Sequence, residues 1–347
     1  MRRQDGRVEA AEAPSPQAIM FELIIGKWVS QAIAAAAELG VADLLAHDVR
    51  HIDELAAATK TDAESLYRLL RGLSSVDVFA EDEGRRFRNT PLSDTLRRGH
   101  PGSIRGFARL QGMEMAWRAW GELTYSVRTG RPAFDHVAGS PTFEYIGSRP
   151  DQAEIVNEAM TSLSELSSAA VVEAYDFSNA RVVVDVGGGE GLLLASILHA
   201  QPHLKGILYE LPHAVDGAAR LLAEQGLRDR VQVIAGNALE SVVPGGDVYL
   251  MKHILHDWDD ERALRFLRNC AAVLPSGGRL LVVEAVLTPP GAPNFAKLLD
   301  LEMLIMSAGG RERTIEDYRR LFAAVGLKLV AEHLTRGPHS VIEGVKP

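Results

Sequence analysis

The chain has 347 residues, of which 46% are hydrophobic and 24% are charged, and its formal net charge is -9. That length allows two domains with a sizeable core, and the negative charge argues against non-specific nucleic-acid binding, which needs a basic surface. The only cysteine, Cys270, excludes a disulfide framework and a cysteine metal site. Its helical spacing from Phe266, Leu267 and Val273 predicts core packing.

Nothing in the sequence indicates a membrane span or a secretory signal. No apolar segment follows Arg2 and Arg3, and the most apolar region, Phe21 to Leu45, is interrupted by charges such as Glu22 and Lys27. We therefore expect a cytoplasmic protein without membrane association.

The N-terminal part begins with residues 1–16, which mix charge, Ala and Pro without periodicity and are predicted to be a disordered tail. From Gln17 to Ala46, apolar residues recur at helical spacing on all sides. A helix of this kind must be buried against another surface, and a second subunit is a reasonable candidate.

Residues 51–98 carry the pattern of a winged helix-turn-helix within a predicted domain of residues 17–100. The pattern predicts a short helix Ile52–Ala58, a turn at 59–61, a longer helix Asp62–Val76 and a hairpin Val78–Asn89.

Such a module leaves a transcriptional regulator open as an alternative. In regulators, the first turn of the second helix enters the major groove, but here that turn carries Asp62 and Glu64, which would face phosphates. We therefore predict a structural module, while Arg85, Arg86 and Arg88 in the hairpin keep the alternative open.

A mostly helical region is predicted from residue 101 to 175, with breaks at 130–132 and 139–141. Its large apolar side chains are expected to be mainly core, and a few of them could wall a pocket for a flat aromatic compound. They are Trp117, Trp120, Phe134, Phe143, Tyr145 and Met160.

The last part, residues 176–347, alternates strands and helices with short connections. This pattern predicts an α/β fold on a doubly wound parallel sheet, with ligands at the carboxyl ends of the strands. A short link at 336–338 predicts that the last two strands are antiparallel. The predicted strands are Arg181–Val186, Lys205–Leu211, Val231–Gly236, Asp247–His253, Gly278–Leu287, Leu327–Thr335 and His339–Lys346, with helices beginning near Leu192, His213, Asp259 and Asn294.

The strand that ends at Asp185 runs directly into Gly187, Gly188 and Gly189, which allow the backbone to turn sharply and to approach a ligand. The Gly-x-Gly-x-Gly spacing is a weak signal alone and differs from that of dinucleotide folds. A carboxylate at this point would repel a pyrophosphate but suits a sulfonium or an amine. Glu210, about 20 residues further on, can accept both ribose hydroxyls. Together these features favour S-adenosylmethionine.

Polar groups follow each predicted parallel strand and should line one rim of the sheet. Deprotonating a phenol of pKa about 10 requires a base, and histidine, with a pKa near 6.5, can act as one. We predict that His256 is this base and that Glu284 or Glu312 orients it. Taken singly, a backbone-bonded histidine and surface ion pairs with arginine are the alternatives. The strand-end groups are Asp185, Glu210, Asn237, Lys252, His253, His256, Asp257 and Glu284.

From about Val29 onward the chain resembles the S-adenosylmethionine-dependent small-molecule O-methyltransferases, which include plant caffeic acid and flavonoid enzymes and relatives in bacterial antibiotic biosynthesis. The resemblance implies a Rossmann-like seven-stranded methyltransferase sheet after a mostly helical winged-helix dimerisation domain. It also implies a homodimer in which the partner helps to close the pocket. The motifs that carry it are 184–191, 209–212, 250–258, 283–284 and 309–314.

The same resemblance implies roles for individual residues. The catalytic base falls on His256, flanked by Glu284 and Glu312. Glu210 and Asn237 stand where the plant enzymes usually have Asp. Glu210 keeps the charge with a longer reach, whereas Asn237 keeps an acceptor oxygen but loses the charge. Cofactor contacts fall on Asp185, Gly187, Gly188, Gly189, Glu210, Asn237, Ala238 and Lys252, and candidate substrate contacts on Asp257, Met160, Leu299 and Met303.

The sequence therefore predicts a homodimeric enzyme that methylates a hydroxyl, expected to be phenolic, of a small aromatic secondary metabolite. S-adenosylmethionine would be the donor, S-adenosylhomocysteine the product, and no metal is expected. Two alternatives stay open: a family member that binds the cofactor but hydroxylates or decarboxylates, and the DNA-binding regulator. The acceptor, and the choice among oxygen, nitrogen and carbon, stay undetermined.

Overall fold

The computed structural model describes residues 14–347, and the chain divides into two compact units at His100. The predicted disordered tail lies outside the described residues, except for its last three positions. The helical region predicted for residues 101–175 belongs to the same compact unit as the sheet.

The first helix, α1 (Pro16–Glu38), begins where Ser15 Oγ accepts a hydrogen bond from the Ala18 N–H at 3.2 Å. Its first half exposes large apolar side chains, among them Phe21 at 59% and Trp28 at 61%. Among the described residues, α1 is the one helix long and apolar enough to cross a membrane. The same composition also fits a helix that packs against another subunit, so membrane association does not follow.

The helix-turn-helix and hairpin of the first unit form where predicted. Asp62 caps the second helix by accepting from the Ser65 N–H at 2.8 Å. A short strand, β1, was not predicted and pairs antiparallel with the hairpin. The elements are α2 (Val41–Leu44), β1 (Arg50–His51), α3 (Ile52–Thr59), α4 (Ala63–Ser74), β2 (Phe79–Asp82), β3 (Arg86–Asn89) and α5 (Pro91–Asp94).

The helical part of the second unit breaks at 130–132 and 139–141, as predicted, with Gly130 and Gly139 both at positive φ. Phe134 and Tyr145 are buried and pack edge to face, whereas Trp117 is 40% exposed. The side chain of Phe143, another of the six predicted large apolar residues, lies outside the described part of the structure. The helices are α6 (Arg105–Gly112), α7 (Glu114–Gly121), α8 (Leu123–Thr129), α9 (Ala133–Ala138), α10 (Thr142–Gly147) and α11 (Pro150–Ala174).

The predicted seven-stranded α/β sheet is confirmed. Its strand order is β11-β12-β8-β7-β4-β5-β6, in which β4 to β8 are parallel and β11 and β12 are antiparallel. The strands are β4 (Val182–Val186), β5 (Lys205–Glu210), β6 (Val231–Ala235), β7 (Val248–Lys252), β8 (Arg279–Glu284), β11 (Lys328–Leu334) and β12 (Ser340–Val345).

Two local predictions differ from the structure. The strand predicted for Gly278–Leu287 is interrupted at Ala285, because its last residues form β9 and pair with β10 instead of continuing the main sheet. A helix after Thr314 was missed, although Thr314 and Asp317 form a capping box there. The remaining elements are β9 (Val286–Leu287), β10 (Arg313–Thr314), α12 (Leu192–Ala200), α13 (Val215–Glu224), α14 (Asp260–Val273), α15 (Ala296–Met306) and α16 (Ile315–Ala324).

The central strand β4 is buried on both faces, as its apolar run predicts. Val183 packs in one hydrophobic cluster with Leu194 and Leu198, whereas Val184 packs in the other, which contains the fully buried Cys270. Helices therefore cover both faces of the sheet, and the strand ends remain as the edge on which a site can form.

Gly344 lies in β12, where a Cβ would come within 2.7 Å of the fully buried Phe322 ring on α16. Because overpacking a core costs about 1–3 kcal/mol, we expect Gly344→Ala to lower the free energy of unfolding by about that amount in urea denaturation. Gly217→Ala in α13, where the space is open, is the control and should be neutral or stabilising by up to about 1 kcal/mol. Equal midpoints for the two variants would contradict the tight contact.

Candidate active site

The glycine loop after β4 is held close to two other segments. Gly187 and Gly189 have φ values of +69° and +58°, a conformation that favours glycine. A Cβ on Gly187 would lie 2.7 Å from Ile254 Cδ1, and one on Gly188 would lie 2.4 Å from Asp185 Cγ. The loop therefore tolerates no side chains at these two positions without displacing neighbours.

Asp185 is a buried carboxyl group without a hydrogen-bond partner among the residues that the structure describes, and it is 1% exposed. Burial raises its pKa to about 7, although Lys252 acts in the opposite direction. Lys252 lies at the end of β7 and donates to Ser164 Oγ at 2.9 Å, and burial lowers its pKa. An unpaired buried carboxylate is costly, so this position suits a cationic group of a ligand.

The polar ends of β5 and β6 lie beside the loop. Glu210 accepts the Gly189 N–H at 2.9 Å with one carboxylate oxygen and the Leu211 N–H with the other. Asn237 uses both side-chain polar atoms within its own loop, accepting from the Leu239 N–H and donating to Glu240, both at 3.0 Å. The Asn237 side chain therefore shapes its loop, and Ala238 beside it is half-buried.

His256 lies on a one-turn 3₁₀ helix, Leu255–Asp257, and is 8% exposed. Both predicted carboxylates reach its ring: Nδ1 lies 2.9 Å from Glu312 Oε1 and 3.5 Å from Glu284 Oε2. The other oxygen of Glu284 accepts the backbone N–H groups of Ile254 and Leu255, each at 3.0 Å. Both glutamates are buried, so the alternative of surface ion pairs with arginine is wrong.

The cluster around His256 has strongly shifted protonation equilibria. Burial alone would lower the pKa of His256, but Glu284, Glu312 and Asp257 outweigh it and raise that pKa to about 10. Burial raises the pKa of Glu284 to about 7 and also raises the pKa of Asp257, with His256 opposing both shifts. Because these groups are close together, they titrate as a unit.

The hydrogen bond to Glu312 also determines which ring nitrogen is available. A carboxylate accepts, so Nδ1 of His256 carries a hydrogen. Nε2 is then the nitrogen that can take up or release a proton, and it lies 3.8 Å from Asp257 Oδ1. This arrangement of carboxylate and imidazole leaves Nε2 as the nitrogen that could exchange a proton with a bound group.

The same three side chains also have the spacing of a metal site. His256, Glu284 and Glu312 each offer one ligand atom, and these atoms lie within 4.8 Å of one another. In the structure, Nδ1 of His256 is hydrogen-bonded to Glu312. The geometry therefore fits either a hydrogen-bonded cluster or a metal site.

Two further histidines lie beside His256: His253 stacks on its ring, and His339 contacts His253 at a tilt. The ring of His253, at φ +54°, lies 5.4 Å from the ring of His256 and 4.4 Å from that of His339, measured between centroids. Burial and the charge of Lys252 lower the pKa of both neighbours, that of His339 to about 4. They are therefore neutral at pH 7, and His253 packs between the rings of His256 and His339.

The candidate substrate residues differ in exposure. Met160 on α11 is 44% exposed, Met303 on α15 is 8% exposed, and Leu299 and Asp257 are half-buried. Met306, on the same helix face by sequence spacing, packs against the buried cluster around Phe134 and is core.

Several residues of the site were missed by sequence reasoning. Thr161 and Ser164 on α11 reach Glu190 and Lys252, and His339 joins the histidine stack. Trp120 Nε1 donates to Glu302 on α15 at 2.6 Å, although 182 positions separate them. Long-range contacts of this kind leave no spacing signal in the sequence.

Comparison with known protein families identifies the family of the chain. Residues 120–328 match the family profile of the O-methyltransferase domain, and residues 21–99 match the O-methyltransferase dimerisation domain. The chain belongs to the O-methyltransferase family. This O-methyltransferase is an S-adenosylmethionine-dependent enzyme. Its dimerisation domain includes most of the exposed apolar helix α1.

Relatives of this O-methyltransferase cover nearly its whole length. It is 42% identical over 94% of its chain to the phenazine O-methyltransferase PhzM of Lysobacter antibioticus, of which 95% is covered. It is 39% identical over 87% of its chain to the aclacinomycin 10-hydroxylase RdmB of Streptomyces purpurascens, of which 82% is covered. The crystal structure of the O-methyltransferase NcsB1 with S-adenosylmethionine and 2-hydroxy-5-methyl naphthoic acid has a TM-score of 0.77, 34% identity and coverage of 92% and 96%.

Glu312→Gln keeps an acceptor beside Nδ1 of His256 but removes one negative charge. We expect it to lower the pKa of His256 by about 1–3, since an opposite charge at this distance raises a histidine pKa by that amount. Nuclear magnetic resonance titration of protein with isotope-labelled histidine measures this, and His256→Gln assigns the resonance. Glu316→Gln, on the exposed side of α16, is the control. A His256 pKa that Glu312→Gln leaves in place would refute the electrostatic assignment.

Proposed function

We propose that this enzyme transfers the methyl group of S-adenosylmethionine to a phenolic hydroxyl of a small aromatic natural product, with His256 as the general base. The observation that carries the proposal is the buried imidazole whose Nδ1 is bonded to Glu312, so that Nε2 is free to accept the phenol proton.

The loop residues fit the donor. When bound, S-adenosylmethionine supplies a methyl group activated by the sulfonium charge. The unpartnered carboxyl of Asp185 suits its ammonium group, and Glu210 at the end of β5 suits the ribose hydroxyls. We assign the adenine to Asn237 and Ala238 and the remaining contacts to the glycine loop and Lys252.

The carboxylates around His256 favour proton transfer to it. Glu284, Glu312 and Asp257 raise the pKa of His256 against the effect of burial, which makes the imidazole a stronger base toward a phenol, whose own pKa is about 10. At pH 7 the neutral imidazole is the minor form, and the reactive state is equally described as a phenolate facing an imidazolium. Either way, turnover rises with pH as the cluster loses its proton.

We propose that the acceptor binds near α11 and α15, where Met160, Leu299 and Met303 are our candidate contacts together with Asp257. Relatives named for phenazine and naphthoic acid acceptors support a flat aromatic compound. We also propose a cytoplasmic homodimer, because the exposed apolar side chains of α1 fall at the start of the dimerisation domain. The DNA-binding alternative loses support, because Glu64 pairs with Arg85 at 2.7 Å.

The relative named as a hydroxylase makes the reaction type worth testing directly. Purified enzyme should convert at least one compound of a panel of hydroxyphenazines, hydroxynaphthoates and aminohydroxybenzoates to a product heavier by one methylene unit, detected by mass spectrometry. Because we expect no metal, conversion should be equal with and without EDTA. A product heavier by one oxygen would support the hydroxylase alternative, and loss of activity in EDTA would support the metal site.

His256→Ala should leave the binding of S-adenosylhomocysteine, measured by calorimetry, nearly unchanged. Turnover should fall by roughly 10²–10⁴, the range for removing a general base. His199→Ala, at an exposed position on α12, is the control and should retain full turnover. Normal turnover of His256→Ala would mean that positioning alone carries the reaction.

A further inference from the structure

The segment that carries His256 is held mainly from outside. Its 3₁₀ helix has a single turn, and its own backbone bonds are long, at 3.4 Å from the Asp257 N–H to Ile254 O and 3.3 Å from the Trp258 N–H to Leu255 O. So short a helix has little stability of its own. The position of the imidazole therefore depends on the groups that bond this segment.

Those groups come mostly from one loop, residues 307–313. Four consecutive carbonyl oxygens of the segment, from Leu255 to Trp258, each accept a hydrogen bond from this loop. The donors are Arg313 Nη1 to Leu255 O at 2.7 Å, the Arg311 N–H to His256 O at 2.8 Å, Ser307 Oγ to Asp257 O at 2.8 Å, and Arg313 Nη2 to Trp258 O at 2.8 Å.

Arg313 provides two of these four bonds and is 1% exposed. Its Nε and Nη2 also donate to Asp260 Oδ1, at 3.0 and 2.9 Å, so all three guanidinium nitrogens are bonded. The flat, forked guanidinium can reach three acceptors at once, which a lysine ammonium on a flexible stem cannot match in the same geometry.

We propose that Arg313 is a positioning residue for methyl transfer, which aligns His256 with Glu312 by fixing the carbonyl groups of Leu255 and Trp258. The backbone order supports this: Arg313 directly follows Glu312, whose carboxylate accepts from the imidazole. One step along the chain thus places a carboxylate on the ring and a guanidinium on the backbone that carries the ring. This inference rests on the proposed role of His256.

A spectroscopic test can be made without knowing the substrate that accepts the methyl group. In the full-length enzyme saturated with S-adenosylhomocysteine, the Nδ1–H proton of His256 should give a downfield resonance that is absent in His256→Gln. Arg313→Lys and Arg313→Met should shift or broaden it, because the backbone beneath the ring is released. Arg311→Lys is the matched control, since Arg311 is exposed and its backbone N–H makes the bond. An unchanged resonance in both Arg313 variants overturns the inference.

Turnover separates this inference from the proposed function. Arg313→Lys should lower kcat by about 10²-fold, the cost of a misplacement near 1 Å, with the KM for the methyl donor unchanged. In a His256→Ala background the same change should have no further effect. An equal loss of kcat in both backgrounds would overturn the inference about Arg313 but not the proposed function. A fully active His256→Ala enzyme would overturn the proposed function.

Asp260→Asn provides a second test in case the Arg313 variants do not fold. Asp260 is 53% exposed and binds Arg313, so its replacement should act in the same direction but less strongly, because the two carbonyl bonds remain. A folded Asp260→Asn enzyme with the resonance and kcat of the parent would count against the inference.

Discussion

The placement of one imidazole among buried carboxyl groups is the constraint on which the site depends. Glu284 is fully buried, and one carboxylate oxygen of Glu284 and one of Glu312 have no hydrogen-bond partner among the described residues. Two carboxylates this deep would be strongly destabilising without a positive charge between them. The strand end, the 3₁₀ helix and the loop at 307–313 must therefore meet at one point for any of the three groups to be stable.

The parallel sheet makes such a meeting possible. Strands β4, β5, β7 and β8 all run in one direction, so Asp185, Glu210, Lys252 and Glu284 emerge at the same edge although 99 positions of sequence separate the first from the last. Lys252 lies between the charge on the donor side and the charge on the base side, and its electrostatic interactions with Asp185 and Glu284 link the two. The glycine loop after β4 and the His256 cluster thus share one electrostatic environment.

The sequence predicted what short-range patterns encode. The apolar strands that end in polar residues, the glycine cluster and the strand–helix alternation were sufficient for a parallel sheet whose strand ends carry polar groups, whereas the spatial order of the strands was not predicted. Burial was harder to predict: a carboxylate after a strand has the same local sequence whether it faces solvent, as an ion pair would, or faces His256. Only the apolar residues around Glu284 hint at the difference.

What the sequence did not predict depends on contacts across the fold. Ser164 meets Lys252 across 88 positions, and Arg313 reaches carbonyl groups more than 50 positions earlier. Neither contact has a periodicity or a spacing from which to infer it. The helix after Thr314 was the avoidable omission, because its capping box was visible in the sequence.

The strand β12 lies between β8 and β11, in the interior of the sheet, although it follows all the other described strands in the sequence. His339, whose ring lies 4.4 Å from that of His253 between centroids, directly precedes it. A folding chain in which β12 has not yet paired has a gap in the middle of its sheet. Such a chain exposes the unpaired edge of β8, which is a point for aggregation or chaperone capture.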